Sequence, residues 1–128
     1  MLRSTTLVSL LMLLTVPAAA TTHTVSIIGF SFNPPSLTVA TGDSVIWVNN
    51  SALSHTSTSG TPCTANGLWD SPFLGPGDDF TFTFAAPGTF PYFCRPHCGS
   101  GMTGTITVTP PTPVEPTTWG RIKSLYGS

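Results

Sequence analysis

Charge is scarce in this sequence. Asp, Glu, Lys and Arg make up 7% of its 128 residues, against roughly a quarter in an average soluble protein. The four basic residues form no cluster that could neutralise a run of phosphates, so nucleic acid is not an expected partner. The five acidic residues are too scattered to build a strong steering field. There are three histidines and three cysteines, so any site that needs several of them must use most of the supply. No apolar run reaches the roughly 20 residues of a membrane span, and no segment repeats its apolar residues at helical spacing. What is abundant is Gly and Pro, at 12 and 13 residues, together with Ser and Thr. That mixture suits short strands joined by turns.

The N-terminus accounts for part of the apolar content. Arg3 precedes an apolar run from Leu7 to Val16, and Pro17-Ala18-Ala19-Ala20 ends it with the small residues that a signal peptidase reads. At about ten residues the run is half of what a span needs, so residues 1–20 read as a cleaved leader. The protein is then exported, to a periplasmic or extracellular setting, with no transmembrane segment in the mature chain. Losing Arg3 leaves three basic and five acidic residues, a net charge of −2. The compartment is oxidising, and spare cysteines can pair there. From Pro110 the composition changes to Pro110-Pro111-Thr112-Pro113 and then Glu115-Pro116, an extended semi-rigid linker. Trp119, Ile122, Leu125 and Tyr126, interleaved with Arg121 and Lys123, form a stub that reads either as a disordered tail or as a short sorting or docking tag. One domain is expected over residues 21–109, with the linker and tail at 110–128.

Within that domain the apolar residues alternate. Val25 and Ile27, Phe30 and Phe32, Leu37 and Val39, Val45 to Val48, Phe80 to Phe84, Phe90 to Phe93 and Thr105 to Val108 read as about seven short strands. Asn33-Pro34-Pro35, Gly42-Asp43, Asn49-Asn50-Ser51, Gly77-Asp78 and Pro87-Gly88 punctuate them. Short strands at close spacing predict an all-β fold, an antiparallel sandwich. Ser51 to Pro76 is expected to be a long irregular loop, because Gly60, Pro62, Gly67, Pro72, Gly75 and Pro76 interrupt helix and strand alike. It carries His55, Cys63 and Trp69, and long loops in compact domains tend to be functional.

Chemistry concentrates between Tyr92 and Met102. His97 follows Cys94 after two residues, and Met102 follows His97 after four more. A thiolate, an imidazole and a thioether suit copper, which cycles between Cu(I) and Cu(II). A second imidazole must come from His23 or His55. His23 sits beside Thr21 and Thr22 at the start of the mature chain, where fraying is expected. His55 comes just after the Trp47 strand, where a sheet end can aim it at the end of the Phe90 to Phe93 strand. Two imidazoles and a thiolate near one plane, with a weak axial thioether, form the ligand set of a blue-copper electron-transfer site.

The same residues admit other uses. Cys94 and Cys98 have the spacing of bridging thiolates in a binuclear copper centre, which would need a histidine where Met102 stands. Cys63, Cys94, His97 and Cys98 could hold a tetrahedral zinc ion, which leaves His55 and Met102 without a role. A buried free Cys94 beside a structural His97 leaves the ordered spacing unexplained. Enzymatic copper chemistry needs further histidines, and only His23 is left over. A thiol hydrolase would need an orienting partner and oxyanion donors near Cys94. No enzymatic activity is expected.

The chain resembles the cupredoxins, the small blue copper proteins that include plastocyanin and pseudoazurin, from about Val25 to Val108. The resemblance rests on Phe30-Ser31-Phe32-Asn33-Pro34, on Gly42-Asp43-Ser44-Val45-Ile46-Trp47 leading to His55, on Pro76-Gly77 before alternating Phe, and on Gly88-Thr89-Phe90-Pro91-Tyr92-Phe93-Cys94 through His97 to Met102. The gaps of two and four residues are those of plastocyanins and pseudoazurins, whereas azurins and amicyanins use others. The resemblance implies a Greek-key β-sandwich and a monomer, with one copper ion held by His55, Cys94, His97 and Met102. It also implies single-electron exchange with protein redox partners through the edge of His97. A copper carrier or store that hands over metal is the alternative function. Two features depart from the family pattern. Thr56 stands where plastocyanin-like proteins usually carry the Asn that helps hold the copper-binding strand, and Cys63 and Cys98 are an added pair. Plant phytocyanins similarly follow their second histidine ligand with a cysteine that bridges to the loop after the first. By that likeness a Cys63–Cys98 disulfide is implied, clamping the His55 loop to the His97 loop.

Overall fold

The computed structural model describes residues 19–111. The expectations for the leader up to residue 18 and for the tail from residue 112 lie outside them. The described residues form nine strands: β1 Thr22–Ile28, β2 Ser31–Asn33, β3 Ser36–Ala40, β4 Ser44–Asn49, β5 Thr58–Thr61, β6 Thr64–Asp70, β7 Asp79–Thr83, β8 Gly88–Phe93 and β9 Thr103–Thr109. A 3₁₀ helix, Arg95–Ser100, lies between β8 and β9. One sheet has the order β2-β1-β4-β7 and the other β3-β9-β8-β5-β6.

The expected all-β sandwich is present. Most pairings are antiparallel, but β1 runs parallel to β4 and β3 parallel to β9. Parallel neighbours need a crossover connection. Here the crossover is the passage of β2 and β3 from one sheet to the other before β4 returns beside β1.

Alternation decides which side chains meet between the sheets. On β4, Val45, Trp47 and Asn49 point inward while Ser44, Ile46 and Val48 are half-buried. On β9, Ile106 and Val108 do the same. Trp47 is the centre of the core, stacked on Trp69 at 5.6 Å and meeting Tyr92 edge-on at 5.4 Å. Val25, Ile27, Val39, Leu74 and Phe84 pack around them, each contributing roughly 1.5–3 kcal/mol by leaving water. Phe80 and Phe82 are half-buried against this cluster, and Phe84 lies just beyond the end of β7.

Three expectations change. Residues 51–76 are not irregular throughout, because β5 and β6 form a hairpin around Pro62 and Cys63, and Cys63 takes the left-handed φ of 63°. Small side chains make this possible. Gly60 sits at φ 135°, where an added Cβ would strike the Thr64 carbonyl. Ser59 Oγ accepts the Trp69 N–H at 2.8 Å, so a side chain of β5 bonds the β6 backbone where the register between Thr58 and Gly60 shifts. His23 is not frayed. It lies within β1 with Nε2 2.9 Å from Asp43 Oδ2. Phe30 belongs to the turn between β1 and β2 and is 56% exposed.

Candidate metal centre

His55 is delivered to one end of the sandwich by a short turn that leaves β4. Asn49, fully buried, organises that turn: its Nδ2 donates to the carbonyls of Leu53 at 2.7 Å and Leu74 at 2.8 Å. Its Oδ1 accepts from the Ser51 N–H and hydroxyl at 2.9 and 2.8 Å. The backbone of His55 then exchanges two hydrogen bonds with Leu74, at 3.0 and 2.8 Å. Ser51 Oγ lies 2.9 Å from His55 Nε2. The Ser51 hydroxyl proton is directed at Asn49 Oδ1, so its oxygen accepts from Nε2–H. That fixes the tautomer and leaves the Nδ1 lone pair of His55 facing inward.

Cys94 and Met102 close a loop from the other sheet. The Cys94 N–H donates to the Met102 carbonyl at 3.0 Å, just beyond the last Phe93–Thr103 rung of the β8–β9 ladder. Inside this closure the 3₁₀ helix turns His97 back, with His97 N–H on the Cys94 carbonyl at 3.2 Å. Gly101 ends it at φ 83°, a left-handed cap that favours glycine.

Three atoms converge as a result. His97 Nδ1 is 3.1 Å from His55 Nδ1 and 3.4 Å from Cys94 Sγ, and Cys94 Sγ is 3.6 Å from His55 Nδ1. A circle through them has a radius of about 2 Å, the length of a first-row metal–imidazole bond. His55 and Cys94 are fully buried, whereas His97 is half-buried. Met102 is buried at the end of the loop. Phe30 stands edge-on to His97 at 4.9 Å and to His55 at 6.3 Å.

Burial holds the His55 imidazole below its ordinary pKa, and the nearby His97 adds to this, against an opposing hydrogen bond that the ring donates to the Gly29 backbone carbonyl. Burial also pushes the Cys94 thiol up, opposed by hydrogen bonds from Thr56 and His97 and by the Arg95 charge. A neutral imidazole is ready for a metal, and the thiol yields its proton as the metal enters. The Thr56 N–H donates to Cys94 Sγ at 3.4 Å. Thr56 Oγ1 accepts the Arg95 N–H at 2.9 Å and meets Thr58 Oγ1 at 3.0 Å, and Thr58 donates to Asp70 Oδ1 at 2.8 Å. Thr56 thus ties the His55 segment to the Cys94 strand end. Arg95 closes the same network, 3.1 Å from Asp70 and over the Phe73 ring at 4.8 Å.

Cys63 and Cys98 are joined in a disulfide with their Cα atoms 5.5 Å apart. This links the tip of the β5–β6 hairpin to the helix that carries His97. His23 stands apart, at the start of β1.

Thiolate and imidazole donors on a circle of this size, with a buried thioether in the same loop, fit one copper ion. Residues 19–109 match the copper binding proteins of the plastocyanin/azurin family. The chain belongs to that family. This cupredoxin is 41% identical over 83 residues to a plastocyanin of Scenedesmus fuscus, covering 60% of this chain and 85% of that one. It is 35% identical over 83 residues to a chloroplastic plastocyanin of Physcomitrium patens, covering 60% of this chain but 49% of that one. A purple cupredoxin from Nitrosopumilus maritimus superposes with a TM-score of 0.63 at 25% identity, covering 68% of this chain and 99% of that one. An oxidised amicyanin variant gives 0.60 at 26% identity, over 68% and 81%.

Sequence reasoning missed the cupredoxin's supporting residues. Asn49 and Ser51 read only as punctuation after a strand, and Thr58 and Asp70 carried no signal. Asn49 reaches Leu74 and Thr58 reaches Asp70 only through the fold, while Ser51 meets Asn49 and His55 inside a tight turn whose shape the apolar pattern does not reveal.

Proposed function

We propose that this cupredoxin is a type 1 blue copper protein that carries single electrons between redox proteins outside the cytoplasm, with the metal held by His55, Cys94, His97 and Met102. The observation that carries this reading is the convergence of two Nδ1 atoms and one Sγ within 3.6 Å of one another, with only His97 reaching toward solvent. Bound copper would supply a one-electron couple and a strong thiolate charge-transfer colour.

The chain's own residues do the rest. Ser51 and Asn49 hold His55 in one tautomer, and Thr56 donates to the sulfur and limits its charge. The disulfide ties the helix that carries His97 to the β5–β6 hairpin, so that imidazole moves little when the electron arrives. His97 presents its edge beside a groove of about 620 Å³ lined by Ile28, Phe30, Phe32 and Met102. Ile28 and Phe30 are 50% and 56% exposed there, an apolar rim against which a redox partner can seat. A site braced in this way favours retention of the metal over hand-over.

The test is to add Cu(II) to the purified mature chain and record visible absorption and electron paramagnetic resonance. A blue protein with narrow copper hyperfine splitting, lost in Cys94→Ala, is expected. A colourless protein, or a spectrum indifferent to that substitution, ends the proposal. Rapid loss of metal to a Cu(I) chelator without electron exchange would favour metal delivery instead.

A further inference from the structure

We propose that processing after Ala20 creates a second metal site at the new N-terminus, Thr21-Thr22-His23. It would take a square-planar divalent ion, Cu(II) or Ni(II), through the Thr21 α-amine, the Thr22 and His23 amide nitrogens and His23 Nδ1. This rests on the export and cleavage part of the functional reading and is independent of the Cys94 centre.

The chemistry follows from position. A free amine two residues before an imidazole encloses two amide nitrogens, and a metal held at both ends can displace their protons and close a planar set of four nitrogens. Planar nitrogen donors select Cu(II) and Ni(II). The α-ammonium proton and both amide protons leave to the buffer, and no electron is transferred.

The structure has the two ends of this chelate already on one side of β1. Thr21 N lies 3.0 Å from Asp43 Oδ1, and His23 Nε2 lies 2.9 Å from Asp43 Oδ2. One carboxylate therefore gathers both the nitrogen that becomes the α-amine and the imidazole. The contact uses Nε2 and leaves Nδ1, the ring nitrogen nearer the backbone, for the metal. Thr21 and Thr22 are exposed, and the His23 side chain keeps 27% of its accessible surface.

Occupation has a structural cost. The Ser44 N–H on the Thr21 carbonyl at 3.0 Å and the Thr22–Ser44 and His23–Val45 pairings must open. They are the terminal rungs of the β1–β4 ladder, where local opening is easiest. Asp43 keeps its bond to the Ala40 N–H at 3.0 Å, so the turn it caps persists when the terminus lifts away. The two metal sites do not compete for donors. The seven residues of β1 span about 20 Å, and the Phe30 that touches His97 lies past the other end.

The test uses the full exported chain carrying Cys94→Ala, so that the first centre is silent, with its N-terminal residue established by mass spectrometry. Ni(II) is titrated while absorption, circular dichroism and magnetic susceptibility are followed. A single equivalent bound in a diamagnetic square-planar form is expected. A chain that begins at Ala20 leaves every strand residue in place but moves the imidazole out of the chelate. It and His23→Ala should each lose more than the roughly 10–100-fold in affinity that removing a mere outer partner of a metal ligand costs. Equal affinity in the chain beginning at Ala20, a paramagnetic six-coordinate ion, or a processed chain that does not begin at Thr21 would each overturn the proposal. If the unsubstituted chain is not blue with copper yet the planar nickel form appears, the electron-carrier reading fails while this one stands.

Discussion

Replacing both Cys63 and Cys98 by serine should weaken the fold far more than it disturbs the folded structure. Cys63 is exposed at a hairpin tip and Cys98 is half-buried, so neither serine hydroxyl is stranded in the core. The contribution of the bridge lies in the unfolded chain, which it forbids from separating residues 35 apart in sequence. Loop-closure entropy for that length is about 4 kcal/mol at 25 °C. For a domain of this size each 1 kcal/mol moves the melting temperature by roughly 4–8 °C, so a fall of roughly 15–30 °C is expected. Thermal and urea unfolding of the metal-free oxidised protein and of the double variant, followed by near-ultraviolet circular dichroism, measure it. The copper-loaded variant should also lose metal to a chelator faster, because the hairpin no longer restrains the His97 helix. A fall of less than about 5 °C would refute the reasoning, since it would mean that the strand pairing of β5 with β8 already confines these loops.

Other substitutions probe the supporting groups. Ser51→Ala removes the acceptor that fixes the His55 tautomer and should lower copper affinity by about 10–100-fold, read by competition with a chelator. Thr56→Val keeps the shape but removes the acceptor of the part-buried Arg95 N–H; a loss of about 0.5–1.5 kcal/mol in urea unfolding is expected. Asp43 is held at about 2, below its ordinary 3.8, by hydrogen bonds from Thr21, His23 and Ala40. Its stabilisation is therefore complete above pH 3.8 and is lost as pH falls through about 2, and Asp43→Asn should flatten the acid limb of a stability–pH curve over that window. Gly104 lies under the Tyr92 ring with no room for a Cβ, so Gly104→Ala should force the ring aside and cost about 1–3 kcal/mol, with a changed near-ultraviolet spectrum.

The strands that the sequence made legible are those whose inward residues are large. Val45 and Trp47 on β4, and Ile106 and Val108 on β9, alternate in the chain as they do in the sandwich. The β5–β6 hairpin was illegible because Thr58-Ser59-Gly60-Thr61 offers no apolar signal. Its strands exist because Thr58 and Ser59 pair with Phe93 and Tyr92 of β8, a relation no local window contains. His23 was read as frayed for a similar reason, since the carboxylate that holds it is 20 residues on. The gathering of His55, Cys94 and His97 could be anticipated from order and spacing together with family likeness. Thr58 and Asp70 could not, because their hydrogen bond is chosen by the fold, and Ser51 could not, because its local bonds to Asn49 and His55 depend on a turn that apolar alternation does not encode.

The closure of the Cys94 to Met102 loop by its own backbone has a consequence for how such proteins diversify. None of the helix residues from Arg95 to Ser100 is buried in the core, so the segment behaves as a cassette plugged into the open end of a finished scaffold. Exchanging it by graft should therefore leave the packing of the sandwich unchanged. In this chain the cassette is tethered, because Cys98 is wedded to Cys63. A graft that omits Cys98 would strand an exposed thiol on the hairpin, so the hairpin tip and the ligand loop must be inherited together.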